Sequence, residues 1–190
     1  MTPPQPNLNS APEASDLEAF LSRHPSFGGW REAWEGVPLE FRTCLANDLP
    51  PRAFVGSVRA LILRGNEVLL VHSSAPILSV GGRCQPGETV EQTLLREVGE
   101  ETGWRVLPLG VIGFIHCRHL DEQRLSWGRP APDFIDPLFV VEAQAYVPSL
   151  LETQNPRCEF VPVWDIERLG VDLINRTFLS EALRNRLNCA

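Results

Sequence analysis

The stretch Thr89-Val90-Glu91-Gln92 has the form of a capping box, with a hydroxyl side chain three residues ahead of a side-chain amide. It predicts a helix that begins at about Val90 and runs to Thr102, where Gly103 supplies the stop. At about 100° per residue, Leu94, Leu95, Val98 and Thr102 share one arc suited to packing on a sheet. Glu97, Glu100 and Glu101 fall on the neighbouring arc. Like charges at this spacing destabilise an isolated helix by roughly 0.2–0.5 kcal/mol per pair. Gly99 costs about 1 kcal/mol against Ala in a helix, which predicts close approach of another group to the backbone there. A helix built against its own charge needs a partner that offsets the repulsion.

Three carboxylates converging on one spot suit a hard divalent cation. Mg²⁺ (or Mn²⁺) takes oxygen ligands, keeps several waters and is completed by substrate phosphate. Such an ion also joins an acidic protein, here of formal charge −7, to an anionic substrate. Gly81-Gly82, just before the helix, lets a backbone carbonyl approach the same ion. Arg96, one turn before Glu100, is placed to orient it. The ordinary alternative is a solvated acidic face, and the wider spacing argues against it. Gly82 is followed after five residues by Glu88, and after seven more by Arg96-Glu97-Val98. Glu100-Glu101 and Gly103-Trp104 then complete the pattern.

These positions form a complete Nudix box, and the chain resembles a Nudix hydrolase, closely over the box and in outline from about 53 to 187. The resemblance implies an α/β fold, an α/β/α sandwich with a central mixed sheet and the box as loop–helix–loop. It implies hydrolysis of the diphosphate linkage of a nucleoside diphosphate joined to another moiety. Carried over position by position, Glu97, Glu100 and Glu101 are metal ligands, Gly81 a carbonyl ligand, and Glu88 and Arg96 an orienting pair. Many members have Leu-Pro-Gly-Gly before the box, whereas Leu78-Ser79-Val80-Gly81-Gly82 stands here. That change loosens the loop and removes no ligand.

The general base is open. Glu100 comes first by position, Glu152 and Glu159 are alternatives bracketing a later loop, and Glu122 follows. Arg118, Arg124 and Arg129, in or beside the polar loop 119–134, are candidates for substrate phosphate. His116-Cys117-Arg118-His119 alternates across a strand, which disfavours a shared metal or Cys–His site. The substrate subgroup is also open: the Pro expected of ADP-ribose-cleaving members is replaced by His119-Leu120-Asp121, and the only Tyr is Tyr146. Nucleoside triphosphates and nucleotide-sugars stay in play. The competing class is a catalytically silent nucleotide-sensing module, which usually lacks box carboxylates that this chain retains.

Around the box, residues 1–14 read as a disordered leader and 15–52 as a helical N-terminal extension. Residues 53–190 read as the Nudix hydrolase domain. In the extension, Ser15-Asp16-Leu17-Glu18 opens a helix that stops before Pro25. A second helix is expected near Trp30–Glu35, with both tryptophans on one face, and a proline-bearing connector over 36–52. The extension suits either the arm of a homodimer or a lid. Downstream, a hairpin spans Phe54–Leu63 and Glu67–His72, and a short strand Ile77–Val80. One or two strands cover 104–117, further strands Leu138–Val147 and Glu159–Val163, and a helix about Thr177–Leu187.

Composition narrows the partners. All seventeen cationic residues are Arg, so Lys-dependent phosphate loops and Schiff bases are excluded. With no basic stripe, the expectation is a small-molecule substrate and no nucleic acid. No apolar run reaches the roughly 18 residues of a span, so no membrane partner is expected. Five scattered cysteines without CxxC spacing favour a reducing cytoplasm.

Overall fold

A computed structural model describes residues 14–34, 36–72, 75–120, 130, 132–152 and 158–188. Helix α1 (Ala14–Arg23) leads into strands β1 (Ser26–Trp34) and β2 (Val37–Leu45). Then come β3 (Ser57–Arg64), β4 (Glu67–Val71), β5 (Ser79–Arg83), α2 (Val90–Thr102), β6 (Trp104–His119), β7 (Asp133–Tyr146), β8 (Cys158–Pro162) and α3 (Leu173–Asn188). Among the described residues the strands form one eight-stranded sheet in the order β1-β2-β6-β7-β3-β4-β8, with β5 also paired to β3. The β3–β7 pair is parallel and the others are antiparallel, so the sheet is mixed. The expected α/β/α sandwich is the architecture found.

Alternation along β3 assigns the two faces. Val58, Ala60 and Ile62 point to one side and pack with Leu94 and Val98 of α2. Leu61 and Leu63 point to the other and pack with Phe178, Leu179 and Ala182 of α3. Full burial of side chains such as Leu94 and Val98 contributes roughly 1.5–3 kcal/mol each, which is ample to hold α2 down against its own charge. β3 gives its edge first to β5, over Ser57–Leu61, and then to β4 at Leu63 and Arg64. That handover brings the Gly81-Gly82 pair onto the sheet beside α2.

The extension differs from expectation after its first helix. Residues 26–34 form strand β1, not a helix, and residues 37–45 form β2, not a connector. Residues four apart share a face in both helix and strand, so the Trp30/Trp34 spacing did not discriminate. Both rings meet Phe41 of β2, Trp30 stacked at 4.7 Å and Trp34 tilted at 4.9 Å. β2 pairs with β6 from Leu39 to Leu45, so the hairpin extends the main sheet. β6 is a single long strand whose register shifts absorb Pro108 and Gly110. α3 begins earlier than expected because Asp172 caps it, accepting from the Asn175 N–H at 2.9 Å. Among the described residues no helix is long and apolar enough to cross a membrane.

Candidate active site

The box helix forms as its capping residues dictate. The Thr89 hydroxyl accepts from the Gln92 N–H at 3.1 Å, and the Gln92 side chain accepts from the Thr89 N–H at 2.9 Å. Gly103 closes the helix in the left-handed region, φ 72°, donating to the Gly99 carbonyl at 2.9 Å. Leu94, Val98 and Thr102 are buried against the sheet as expected, joined by Thr93. Leu95 is 42% exposed and does not share that face. The expected close approach at Gly99 is also absent, because an added Cβ would meet Leu150 only at an ordinary 3.5 Å.

Arg96 is the hub. Its Nε and Nη2 donate to the two oxygens of Glu88 at 2.7 and 3.0 Å, and Nη2 also donates to the Arg83 carbonyl at 3.0 Å. Nη1 donates to Glu97 at 2.8 Å and to Glu100 at 2.9 Å. A guanidinium has five N–H donors in a rigid fork, and these contacts give each of them an acceptor. Glu88 also accepts from the Gln85 N–H at 2.9 Å and the Thr93 hydroxyl at 2.8 Å. The Arg96 hydrogen bonds pull the Glu88 carboxyl down to about 2, and the Glu88 contact pushes Arg96 up. The orienting pair that the resemblance implies is thus physically joined to two of the three carboxylates.

The third, Glu101, turns toward the glycine pair and accepts from the Gly81 N–H at 2.9 Å. Burial raises its pKa, and the neighbouring Glu97 and Glu100 charges push the same way against the Gly81 hydrogen bond and Arg59. Gly82 is cut to fit Glu97: an added Cβ would lie 2.4–2.6 Å from that carboxylate. Gly81 is tighter still, with φ 141° and an added Cβ only 2.0 Å from the Val58 carbonyl. Glu97 and Glu100 are 14% and 25% exposed, so the cluster is sheltered rather than splayed into solvent.

Among the described residues, no three His, Cys, Asp or Glu side chains already stand in a chelating arrangement. The reason is visible: Arg96 Nη1 draws in one oxygen each of Glu97 and Glu100, while Glu101 faces Gly81. The donor set nevertheless fits a hard divalent cation. It is all carboxylate oxygen, with a glycine cradle at Gly82, and Glu101 is raised first by burial and then by the Glu97 and Glu100 charges beside it.

The other sequence candidates scatter. Glu152 has its backbone N–H on the Glu100 carbonyl at 3.2 Å, beside the box helix, with an exposed side chain. Glu159 lies on β8 with His72 Nε2 at 2.6 Å from its carboxylate. Arg118 stands toward the end of β6 opposite Trp104, 57% exposed and 3.9 Å from Asp133. Glu122, Arg124 and Arg129 lie outside the described residues. His116 is buried on Asp133 at 2.8 Å and Cys117 packs with Phe41 and Phe134, so the two share no site.

Two residues were missed. Arg59, opposite Gly81 in the β3–β5 register, lowers Glu101 through its charge. Asp136, 1% exposed, accepts from the Ser57 N–H at 2.9 Å and lies 3.9 Å from Arg59. Their available signal was charge inside an apolar strand, as in Val58-Arg59-Ala60 and Ile135-Asp136-Pro137.

The family model for the NUDIX domain matches residues 53–182. No curated protein matches the sequence. Among solved structures, a Bacillus subtilis pyrophosphohydrolase aligns with a TM-score of 0.51 at 17% identity, covering 86% of this chain and 98% of that one. A NUDIX hydrolase from Nitrosomonas europaea aligns at 0.49 and 20% identity, covering 67% and 87%. An ADP-ribose pyrophosphatase from Streptococcus suis aligns at 0.42 and 19%, covering 67% and 90%.

Proposed function

The chain belongs to the Nudix family of pyrophosphohydrolases, and from that premise we propose that it hydrolyses the diphosphate linkage of a nucleoside diphosphate derivative with a divalent cation, Mg²⁺ or Mn²⁺. The observation that carries this reading is the meeting of Glu97 and Glu100 on one nitrogen of Arg96, with Glu101 alongside. Glu97, Glu100 and Glu101 would hold the ion, together with the Gly81 carbonyl. When bound, it supplies charge neutralisation on the phosphate oxygens and a lowered pKa for attacking water.

The chain's own part is preorganisation. Arg96 fixes the side-chain torsions of Glu97 and Glu100 before substrate arrives, and Glu88 fixes Arg96. Gly82 leaves the room Glu97 needs. Glu100 is the first candidate for accepting the water's proton, Glu152 and Glu159 are the alternatives, and Glu122 follows. Arg118, with Arg124 and Arg129, is assigned to substrate phosphate. We assign catalysis to residues 53–190 and a reducing cytoplasm as the setting.

The test is incubation with Mg²⁺ or Mn²⁺ and a panel of nucleotide-sugars, ADP-ribose, dinucleoside polyphosphates and nucleoside triphosphates. Mononucleotide or phosphate release from at least one is expected. Changing Glu100, Glu152 and Glu159 singly to Gln then identifies the base, whose loss costs about 10²–10⁴-fold in kcat. No release across the panel with either metal refutes the hydrolase reading.

A further inference from the structure

Beside the acidic cluster, at the C-terminal end of α2, lies a cleft of about 520 Å³. Its size is that of a small-ligand pocket. Glu101 forms part of its wall, so the cleft begins where the proposed metal ligands end. Three aromatic rings from three strands gather around it. Trp104 meets Phe160 edge-to-face at 5.4 Å and Tyr146 at 5.5 Å. The Arg64 guanidinium lies over the Phe160 ring at 4.0 Å. Tyr146 stays 52% exposed despite its aromatic neighbour, a large surface left uncovered beside a cavity.

Charge decides which part of a substrate this cleft suits. Arg64 is the one cation among its described lining residues, and it is committed to Glu67 through bonds of 2.8 and 3.0 Å. Glu101 and Glu159 add carboxylates to the wall. A phosphate entering here would meet anions, whereas a planar, uncharged ring would find stacking surfaces and acceptors for its N–H groups.

We propose that this cleft, with Tyr146 as the exposed stacking surface and Trp104 and Phe160 as the apolar wall behind it, binds the nucleobase of the substrate while the diphosphate lies toward Glu101. The identity of the ligand rests on the hydrolase reading above; the cleft itself is tested without turnover. Binding of adenosine, guanosine, cytidine and uridine is measured by equilibrium dialysis in metal-free buffer. At least one nucleoside binds the wild-type chain, and Tyr146→Ala weakens it about 5- to 160-fold, the range for loss of one stacking partner. Tyr146→Phe keeps the ring and the affinity. Trp30→Ala, at an aromatic of the distant hairpin, leaves binding unchanged.

In turnover, Tyr146→Ala raises KM by the same factor at constant kcat. Binding with no turnover sinks the hydrolase reading and leaves the cleft standing. Absence of binding for all four nucleosides, or equal affinity in Tyr146→Ala, overturns the inference.

Discussion

Replacing Glu88 by Gln probes the organisation of the site without touching a proposed metal ligand. Glu88 accepts four hydrogen bonds, from Arg96 Nε, Arg96 Nη2, the Gln85 N–H and the Thr93 hydroxyl. Three of these reach Oε2 and one reaches Oε1. A glutamine therefore keeps its carbonyl on the crowded side and presents an NH₂ group to Arg96 Nε, donor against donor. One charge-assisted bond is lost outright and a second weakens. Bonds to charged groups are worth about 1.5–3 kcal/mol, so Glu88→Gln destabilises by about 2–3 kcal/mol at pH 7. At roughly 2–4 °C per kcal/mol for a chain of this size, Tm falls by about 4–12 °C.

The pH dependence fixes the cause. The folded carboxyl titrates at about 2, below an unfolded value of about 4.3. A depressed acid contributes stability that is complete above its unfolded pKa and lost as pH falls through the folded one. The gap between wild type and Glu88→Gln is therefore constant from pH 7 to about pH 5 and narrows between about 4.5 and 2. Urea melts at pH 7, 5 and 3, with chelator present to remove metal effects, read this directly. A negligible gap at pH 7, or one that stays full size through the acid range, would show that the ionised Glu88 does not stabilise the fold through Arg96.

Two glycines give further tests. Gly82→Ala pushes a methyl into the Glu97 carboxylate, and a misplacement of about 1 Å in a catalytic group costs on the order of 10²-fold. Steady-state kinetics should show that loss, with Tm held within about 2 °C. Gly99→Ala meets only Leu150 at 3.5 Å and gains helix propensity. Thermal melts should show stabilisation of up to about 1 kcal/mol, with kcat unchanged.

The box was legible because it is local. The cap, the stop, the acid arc and the Arg96–Glu100 turn all follow from spacing within one helix, and they formed as read. The Glu88–Arg96 pair came from the family resemblance and proved bidentate. Failures arose where spacing was degenerate or partners were distant. Trp30 and Trp34 fit a helix as well as a strand, and only pairing with β2 decides between them. Val37, Leu39 and Phe41 alternate with Pro38, Glu40 and Arg42, a strand pattern masked by the prolines around it. Arg59 is brought toward Glu101, and Asp136 toward Arg59, only by the β3–β5 and β3–β7 pairings, which no local window contains. Leu95 failed differently: it sits at the edge of its arc, about 100° from Leu94, and is left 42% exposed.

Whether a divalent ion is held where the box carboxylates meet Gly81 and Gly82 is read by Mn²⁺ titration followed by electron paramagnetic resonance. Wild-type protein should deplete the free Mn²⁺ signal, and the Glu97→Gln/Glu101→Gln double variant should bind at least about 10-fold more weakly while keeping a cooperative melt. Equal Mn²⁺ binding by the two folded proteins would show that Glu97 and Glu101 hold no ion.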